Sequence, residues 1–211
     1  APNGYTLLYA SNSTHCLVPA TYKSARFKAT DFEPISGVID NSVALVVRKG
    51  APFNDMKSFV EYAKANPNKV NFGTTGQGGS VHMLQLLINK RLDIKTTDVP
   101  YKGGAPALQD LLGNRLDMYG DAIQAISQLH NSGAVKVIAV SGNKRAASIS
   151  DVPTFAEQGF DQLTTVYWWN LVAPKGTPKP VLQRLNSAVK AALEDKGVED
   201  WLVAAGNSPA Y

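Results

Sequence analysis

The sequence predicts an α/β fold with mostly parallel sheets and flanking helices. Short apolar runs such as residues 43–47 and 135–140, rich in β-branched side chains, have the length and composition of buried strands. Other stretches carry apolar residues at helical spacing, most clearly the segment that follows Thr177-Pro178. Strands that alternate with single helices imply right-handed crossovers, and therefore parallel neighbours in the sheet.

Local signals set the order of the elements. Asn66-Pro67 ends the first amphipathic stretch, because a residue before proline avoids helical dihedrals. Ser80 is a candidate N-cap for the next helix, and Thr177-Pro178 is a cap followed by proline at the first helical position. The predicted strands cover residues 5–10, 43–47, 70–72, 98–101, 116–119, 135–140 and 164–171. The predicted helices lie at residues 56–63, 80–88, 106–112, 122–129, 153–158 and 178–193.

Composition and charge exclude several classes of protein. The 211 residues carry a net charge of +4, from 21 Lys and Arg against 17 Asp and Glu without a basic run, which argues against nucleic-acid binding. The longest aliphatic run, residues 43–47, is far too short for a membrane helix, so no direct membrane insertion is expected. Cys16 is the single cysteine, which excludes an internal disulfide and a multi-thiolate metal site. Because the chain opens without Met or a secretion signal, we expect either a removed signal or an internal fragment.

The predicted ligand edge is where strands end and helices begin. In open α/β sheets a ligand binds beyond the carboxyl ends of the strands, which points to residues 11–15, 74–80 and 101–104. In residues 74–80, glycines let the backbone approach a ligand, and the amides at the helix start are unsatisfied by the helix itself. Such amides and the helix dipole stabilise an anion, although the same glycines fit simple turn geometry equally well.

Nucleotide motifs are weak at this loop. Gly78-Gly79-Ser80 lacks the lysine of a phosphate loop, and Gly76-x-Gly78-Gly79 breaks the dinucleotide spacing, although Asp98 lies about twenty residues on. No cofactor is expected.

Sequence motifs for catalysis or metal binding are also weak. The chain has no G-x-S-x-G elbow, and His15, His82 and His130 show no metal-ligand spacing. A hydrogen-bonded core histidine is the favoured interpretation of His82, whereas His15 lies at the candidate ligand edge. Asp121 is either an N-cap for the following helix or a ligand contact.

A series of motifs along the whole chain resembles one known family. The series runs through Gly4-Tyr5-Thr6-Leu7-Leu8, Ser13-Thr14-His15, Asp31-Phe32-x-Pro34, Asn71-Phe72-Gly73 with the glycine loop, the run Val99-Pro100-Tyr101-Lys102-Gly103-Gly104-Ala105-Pro106-Ala107, Asp151-Val152-Pro153-Thr154 and Ala173-Pro174-x-Gly176-Thr177-Pro178. This pattern resembles the Bug (TctC-type) family, the extracytoplasmic solute receptors of tripartite tricarboxylate transporters.

The resemblance implies a two-lobed, type II periplasmic-binding-protein fold in the periplasm, with a membrane permease as partner. It implies a first lobe of residues 1–46 and 171–211 and a second lobe of residues 47–170. Family members hold small carboxylates, among them dicarboxylates, aromatic acids and acidic amino acids, by backbone amides and ordered waters from two loops, the second of which matches residues 74–80. By the same comparison the chain is expected to lack both ends of a family member. The expected ligand contacts are Ser11, Asn12, Ser13, Thr14, His15, Thr74, Thr75, Gly76, Gln77, Gly78, Gly79, Ser80, Tyr101, Gly103, Gly104 and Asp121.

Two alternatives stay open on the residues alone. One is a doubly wound enzyme acting on a small anionic substrate, for which only His15, Lys102 and Asp121 offer reactive groups. The other is the effector-sensing domain of a regulator, which shares this fold class.

Overall fold

The computed structural model describes residues 1–204 and 207–211, and the chain divides into two compact units. Unit 1 comprises Ala1–Asn41 and Tyr167–Tyr211, and unit 2 comprises Ser42–Val166. The predicted lobe boundaries at 46/47 and 170/171 fall inside two strands. A strand pairs along its whole length within one sheet, so the boundaries between the two units fall at strand ends instead. That each unit is a lobe of a larger receptor remains a prediction.

The elements follow in chain order. The strands are β1 (Leu8–Ser11), β2 (Phe32–Asn41), β3 (Val43–Arg48), β4 (Asn71–Thr74), β5 (Thr97–Pro100), β6 (Met118–Ala122), β7 (Val135–Val140), β8 (Tyr167–Pro174) and β9 (Asn207–Pro209). The α-helices are α1 (Val18–Thr21), α2 (Met56–Ala65), α3 (Ser80–Leu92), α4 (Gly104–Leu112), α5 (Ile123–Asn131), α6 (Lys179–Leu193) and α7 (Lys196–Ala204). A π-helical turn, Ser13–Leu17, leads into α1. Short 3-10 turns lie at Ala29–Asp31, Ala147–Ile149, Ala156–Gln158 and Asp161–Leu163.

Unit 1 is built on a four-stranded sheet with the strand order β1-β8-β2-β9. All three of its strand pairs are antiparallel, so the prediction of mostly parallel sheets is wrong for this unit. The crossover rule that led to it applies only where a helix joins neighbouring parallel strands, and the described residues of unit 1 contain no such βαβ unit. α6 is tied to the sheet by the Asn186 side-chain amide, which donates to the carbonyl oxygen of Ile35 at 2.8 Å.

Unit 2 is built on a five-stranded sheet with the order β5-β4-β6-β3-β7. The β4–β5 and β4–β6 pairs are parallel, and β3 is antiparallel to both β6 and β7. It follows that β4, β5, β6 and β7 all point the same way and that β3 alone is reversed. The prediction of parallel strands with single helices between them therefore holds for these four, and their carboxyl ends share one edge of the sheet.

In unit 2, one face of a helix and residues of the sheet strands form the buried core. α2 buries Met56, Phe59 and Ala63, which lie three and four residues apart and so form one stripe of the helix. α2 begins at its N-cap Asp55, whose carboxylate accepts a hydrogen bond from the Ser58 amide at 2.7 Å. The strands supply a second buried layer that includes Leu45, Val46, Phe72, Met118 and Tyr119.

Several predicted element starts are shifted in the structure. β1 begins at Leu8 rather than Tyr5, and β8 runs three residues later than predicted, to Pro174. The last long helix begins at Lys179 with Pro178 as its N-cap, and the Thr177 hydroxyl donates to the carbonyl of Pro174 at 2.7 Å instead of capping the helix. No sequence signal had indicated β2, α7 or β9.

Candidate functional site

A glycine-rich loop joins β4 to α3 at the carboxyl edge of the unit 2 sheet. Gly76 and Gly78 have φ angles of 107° and 76°, a region that residues with a β-carbon rarely adopt. These two glycines thus reverse the chain between the buried Thr74 and the start of α3. Gly79 is the N-cap and Ser80 the first helical residue, so the prediction of Ser80 as the cap is one residue late.

Two amides of this loop are engaged inside it. The Gly78 amide donates to Nδ1 of His82 at 3.2 Å, and the Gly79 amide donates to the carbonyl of Gly76 at 3.3 Å. The first bond of the helix itself runs from the Met83 amide to the carbonyl of Gly79 at 3.0 Å. The amides of Val81 and His82 therefore lie in the first turn of α3, where no earlier helical carbonyl oxygen can accept their hydrogen bonds. These amides, rather than those of Gly78 and Gly79, are the candidate ligand donors of the loop.

Asp98 connects the base of the loop to its neighbours. The Thr74 hydroxyl donates to Oδ1 of Asp98 at 2.8 Å, and Nε2 of His82 lies 3.8 Å from Oδ2. Thr74 is at the end of β4, Asp98 is in β5, and His82 is in α3, so one carboxylate joins three elements. His82 is hydrogen-bonded as predicted, but it is partly exposed rather than a core residue.

The β5–α4 corner is the second segment at this edge. The Tyr101 amide donates to the carbonyl of Thr74 at 2.8 Å, which fixes the corner beside the glycine loop. The Tyr101 hydroxyl donates to Asp110 Oδ2 at 2.9 Å, and Arg115 Nε donates to the other carboxylate oxygen at 2.8 Å. Burial, and then the bond to Asp110, raise the pKa of Tyr101. Gly103, with a φ of 103°, is the N-cap of α4, and Lys102 beside it is exposed.

The β6–α5 corner contributes a carboxylate. Asp121 lies within β6 rather than capping α5, whose N-cap is Ala122. Its Oδ1 accepts the Ala122 amide at 2.8 Å, and its Oδ2 accepts the hydroxyl of the buried Tyr119 at 2.9 Å. Burial, followed by the charge of Asp121, raises the pKa of Tyr119 far above its ordinary value, so this hydroxyl stays a donor.

Gly104 places the start of α4 against that carboxylate. A β-carbon built on Gly104 would lie 2.7 Å from Asp121 Oδ2 and 2.9 Å from the Tyr119 hydroxyl. Both distances are shorter than a carbon–oxygen contact allows, so only glycine fits here without a shift. The first turn of α4 and the Asp121 carboxylate are therefore in direct contact.

Three helix N-termini consequently gather at one edge. α3, α4 and α5 are the elements that follow the adjacent strands β4, β5 and β6, and none of the three is capped by the side chain of its N-cap residue. None of them has an acidic residue in its first turn. Each helix start carries a partial positive charge, so the edge favours an anion.

Residues 11–15 belong to unit 1, where Ser11 ends β1 and the residues after it start a helical turn instead of forming the predicted loop. The Ser11 amide donates to the Thr14 hydroxyl at 2.9 Å, and the Thr14 amide donates to the Ser11 hydroxyl at 3.2 Å. This reciprocal pair leads from β1 into the Ser13–Leu17 turn. The His15 ring packs 5.4 Å from the Phe32 ring and 6.3 Å from that of Trp168, and its buried Nδ1 has no hydrogen-bond partner among the described residues.

Neither a metal centre nor a membrane span is found in the part of the chain that the structure describes. Across residues 1–204 and 207–211, no three His, Cys, Asp or Glu side chains are grouped so that they could hold a metal ion. Within the same residues, no helix is both long and apolar enough to cross a bilayer. The sole cysteine, Cys16, is free and exposed.

Comparison with known proteins identifies the family. Residues 1–211 match the family TctC, described as the tripartite tricarboxylate transporter family receptor. The chain belongs to this family. Protein BugT of Bordetella pertussis is 30% identical over 211 residues, which cover 99% of this chain and 65% of BugT. The chain spans 60–65% of the length of the first curated relatives that it matches.

Solved structures confirm the predicted fold class. MatC from Rhodopseudomonas palustris, solved with bound malate, is 30% identical with a TM-score of 0.83, and the match covers 99% of this chain and 71% of MatC. The R. palustris protein Rpa4515, solved with adipate, is 28% identical with a TM-score of 0.86 over 100% of this chain and 71% of that protein. The periplasmic binding protein BugD is 32% identical with a TM-score of 0.82 over 99% of this chain and 70% of BugD.

Tyr119, which orients the candidate contact Asp121, was not among the predicted site residues. A signal was present, because side chains two residues apart on a strand share a face, and Tyr119 and Asp121 are so spaced in β6. The residue between them, Gly120, faces α3 instead: a β-carbon there would lie 2.9 Å from Cγ1 of Val81.

Proposed function

We propose that this chain is the ligand-binding part of a receptor that captures a small carboxylate. The observation that carries the proposal is the gathering of three uncapped helix starts at one sheet edge, next to a glycine loop that admits a ligand close to the backbone. The family match and the malate and adipate named for two structural relatives support the same class of ligand.

The ligand carboxylate binds at the first turn of α3. A charge-assisted hydrogen bond contributes about 1.5–3 kcal/mol and the helix dipole about 0.3–1 kcal/mol. Three or four such bonds, after the cost of ordering, correspond to micromolar affinity, roughly 8 kcal/mol. The predicted contacts that the proposal keeps in unit 2 are Thr74, Thr75, Gly76, Gln77, Gly78, Gly79, Ser80, Tyr101, Gly103, Gly104 and Asp121, and the first-turn amides of Val81 and His82 join them as hydrogen-bond donors. For Gly78 and Gly79 the contact is close backbone approach, because their amides already donate to the His82 ring and to the carbonyl of Gly76.

Asp121 contacts a different part of the ligand. Its two oxygens already accept bonds from Tyr119 and Ala122, and each carboxylate oxygen has a second lone pair. That lone pair accepts a hydrogen bond from a ligand amine, a hydroxyl or a bridging water. Residues 11–15 remain predicted ligand contacts.

The receptor delivers its ligand to the membrane permease of a tripartite transporter. It acts in the periplasm and catalyses no reaction. Family membership supports these parts of the proposal over the enzyme and effector-sensing alternatives.

Isothermal titration calorimetry and thermal unfolding with malate, adipate and aspartate test the proposal. Malamide and adipamide are matched controls, because they keep the carbon skeleton and remove the negative charge. We expect micromolar binding of at least one acid, no binding of its amide, and stabilisation of about 2.7 kcal/mol at 100 times the dissociation constant. Equal binding of acid and amide, or no binding of any acid at millimolar concentration, contradicts the proposal.

A further inference from the structure

His82 makes a hydrogen bond that shapes the glycine loop. Its Nδ1 accepts the Gly78 amide at 3.2 Å, four residues back along the chain. Gly78 has a φ of 76°, so the bonded peptide is one that glycine holds in the left-handed region. Glycine populates both signs of φ about equally, which means that the residue does not select this conformation by itself. The bond to His82 does select it.

The geometry also determines the tautomer of the ring. Because Nδ1 accepts an N–H bond, that nitrogen carries no proton, and the ring proton lies on Nε2. Nε2 faces Asp98, with 3.8 Å to Oδ2, and the other oxygen of Asp98 accepts the Thr74 hydroxyl at 2.8 Å. The ring is thus held between the loop on one side and the ends of β4 and β5 on the other. Only 18% of the His82 side chain is exposed.

We propose that the His82 ring is a positioning group of the carboxylate site: it acts through the Gly78 peptide, and the ring itself does not touch the ligand. This inference rests on the proposed function. With Gly78 held by the ring, the loop keeps one conformation and leaves the first-turn amides of α3 open to an anion. Without the ring acceptor, the loop samples several conformations, and the ligand must order it on binding. Loss of the bond lowers carboxylate affinity by about tenfold.

Three substitutions separate this role from simple packing. In His82→Asn, the amide oxygen occupies the place of Nδ1, since both atoms are two bonds from Cβ, and the acceptor for Gly78 is kept. In His82→Gln, the polar atoms lie one bond further out, near the place of Nε2, and the acceptor is lost. His82→Leu removes both. We expect His82→Asn to keep malate and adipate affinity within about threefold, and the other two variants to lose about tenfold.

His130 provides a matched control. Its Nδ1 accepts the Val137 amide at 3.1 Å, the same kind of bond at the other end of the sheet. His130→Leu removes this bond, and with it the 3.1 Å contact between Nε2 and Asp151, without reaching the loop, so we expect carboxylate affinity unchanged.

Hydrogen exchange of the Gly78 amide gives a readout that needs no ligand. We expect protection in the wild type and in His82→Asn, and faster exchange in His82→Gln and His82→Leu by about tenfold. Long-range ¹H–¹⁵N spectra of the wild type should show Nδ1 of His82 unprotonated. Unchanged exchange in His82→Leu, or a proton on Nδ1, overturns the inference even if no acid binds. If malate or adipate binds the wild type and His82→Leu equally well, the inference is wrong and the proposed function stands. If no acid binds the wild type, the proposed function fails, and the exchange data decide the role of His82 in the loop.

Discussion

Gly104→Ala tests the contact between the start of α4 and the Asp121 carboxylate. The added β-carbon would lie 2.7 Å from Asp121 Oδ2 and 2.9 Å from the Tyr119 hydroxyl. Asp121 cannot simply swing away, because its other oxygen accepts the Ala122 amide at 2.8 Å. The carboxylate must therefore break the 2.9 Å bond to Tyr119 or give up the amide.

The size of the expected stability loss follows from the burial of Tyr119. Its side chain is fully buried, so a hydroxyl that loses its acceptor there finds no water, which costs about 1–3 kcal/mol. Alanine in place of glycine returns at most about 1 kcal/mol through helix propensity. We expect Gly104→Ala to lower the free energy of unfolding by about 1–2 kcal/mol.

A double-mutant cycle with Tyr119→Phe isolates the cause. Phenylalanine removes both the clashing hydroxyl and the group that would be left unsatisfied, so the second substitution adds little. Urea unfolding followed by circular dichroism should give a double variant about 1 kcal/mol more stable than additivity predicts. Additivity within about 0.5 kcal/mol would refute the reasoning, since the two residues would then not share the carboxylate.

Two further predictions concern other hydrogen bonds of unit 2. Hydrogen bonds from the Ser58 hydroxyl and then from its amide lower the pKa of Asp55, so the stabilising charge of this N-cap is fully present above the ordinary aspartate pKa and is lost as the pH falls through the lowered value. We expect Asp55→Ala to lower the free energy of unfolding by about 1 kcal/mol at pH 7, measured by urea unfolding. An equal loss at pH 2 would contradict the capping role. Thr74→Val keeps the shape of a buried side chain but removes the donor to Asp98, so we expect a loss of about 1 kcal/mol, whereas Thr97→Val, whose hydroxyl donates to the carbonyl of Asn68 nearer solvent, should lose less.

The prediction from sequence is correct where one local signal determines an element. The apolar run at residues 43–47 became β3, and the stripe of Met56, Phe59 and Ala63 became the buried face of α2. It failed for β2, where Pro34 and Gly37 interrupt the alternating pattern that defines a strand. The structure accommodates both residues by register shifts against β8, at Pro34/Ser36 and at Gly37/Ile39, and such shifts depend on the partner strand.

The candidate site divides in the same way. The glycine loop and the helix starts could be predicted, because strand, glycines and apolar helix follow one another along the chain. Which amides stay available could not, since that depends on the His82 ring accepting the Gly78 amide. The role of the Tyr101 hydroxyl was equally hidden, because its acceptor, Asp110, lies nine residues away on α4.

The three helix starts at the sheet edge are not equivalent, and Asp121 is the reason. Its carboxylate contacts the first turn of α4 at Gly104, so the positive end of that helix already faces a negative charge of the protein itself. The first turn of α3 contains no acidic residue, and Asp98 lies beneath the loop with its oxygens directed to Thr74 and His82. A second carboxylate placed at α4 would meet Asp121 as a like charge, whereas one placed at α3 would meet no acidic side chain of the first turn. On the proposed function, the charge pattern therefore orients the ligand, with its carboxylate on α3 and its hydrogen-bond donors towards Asp121.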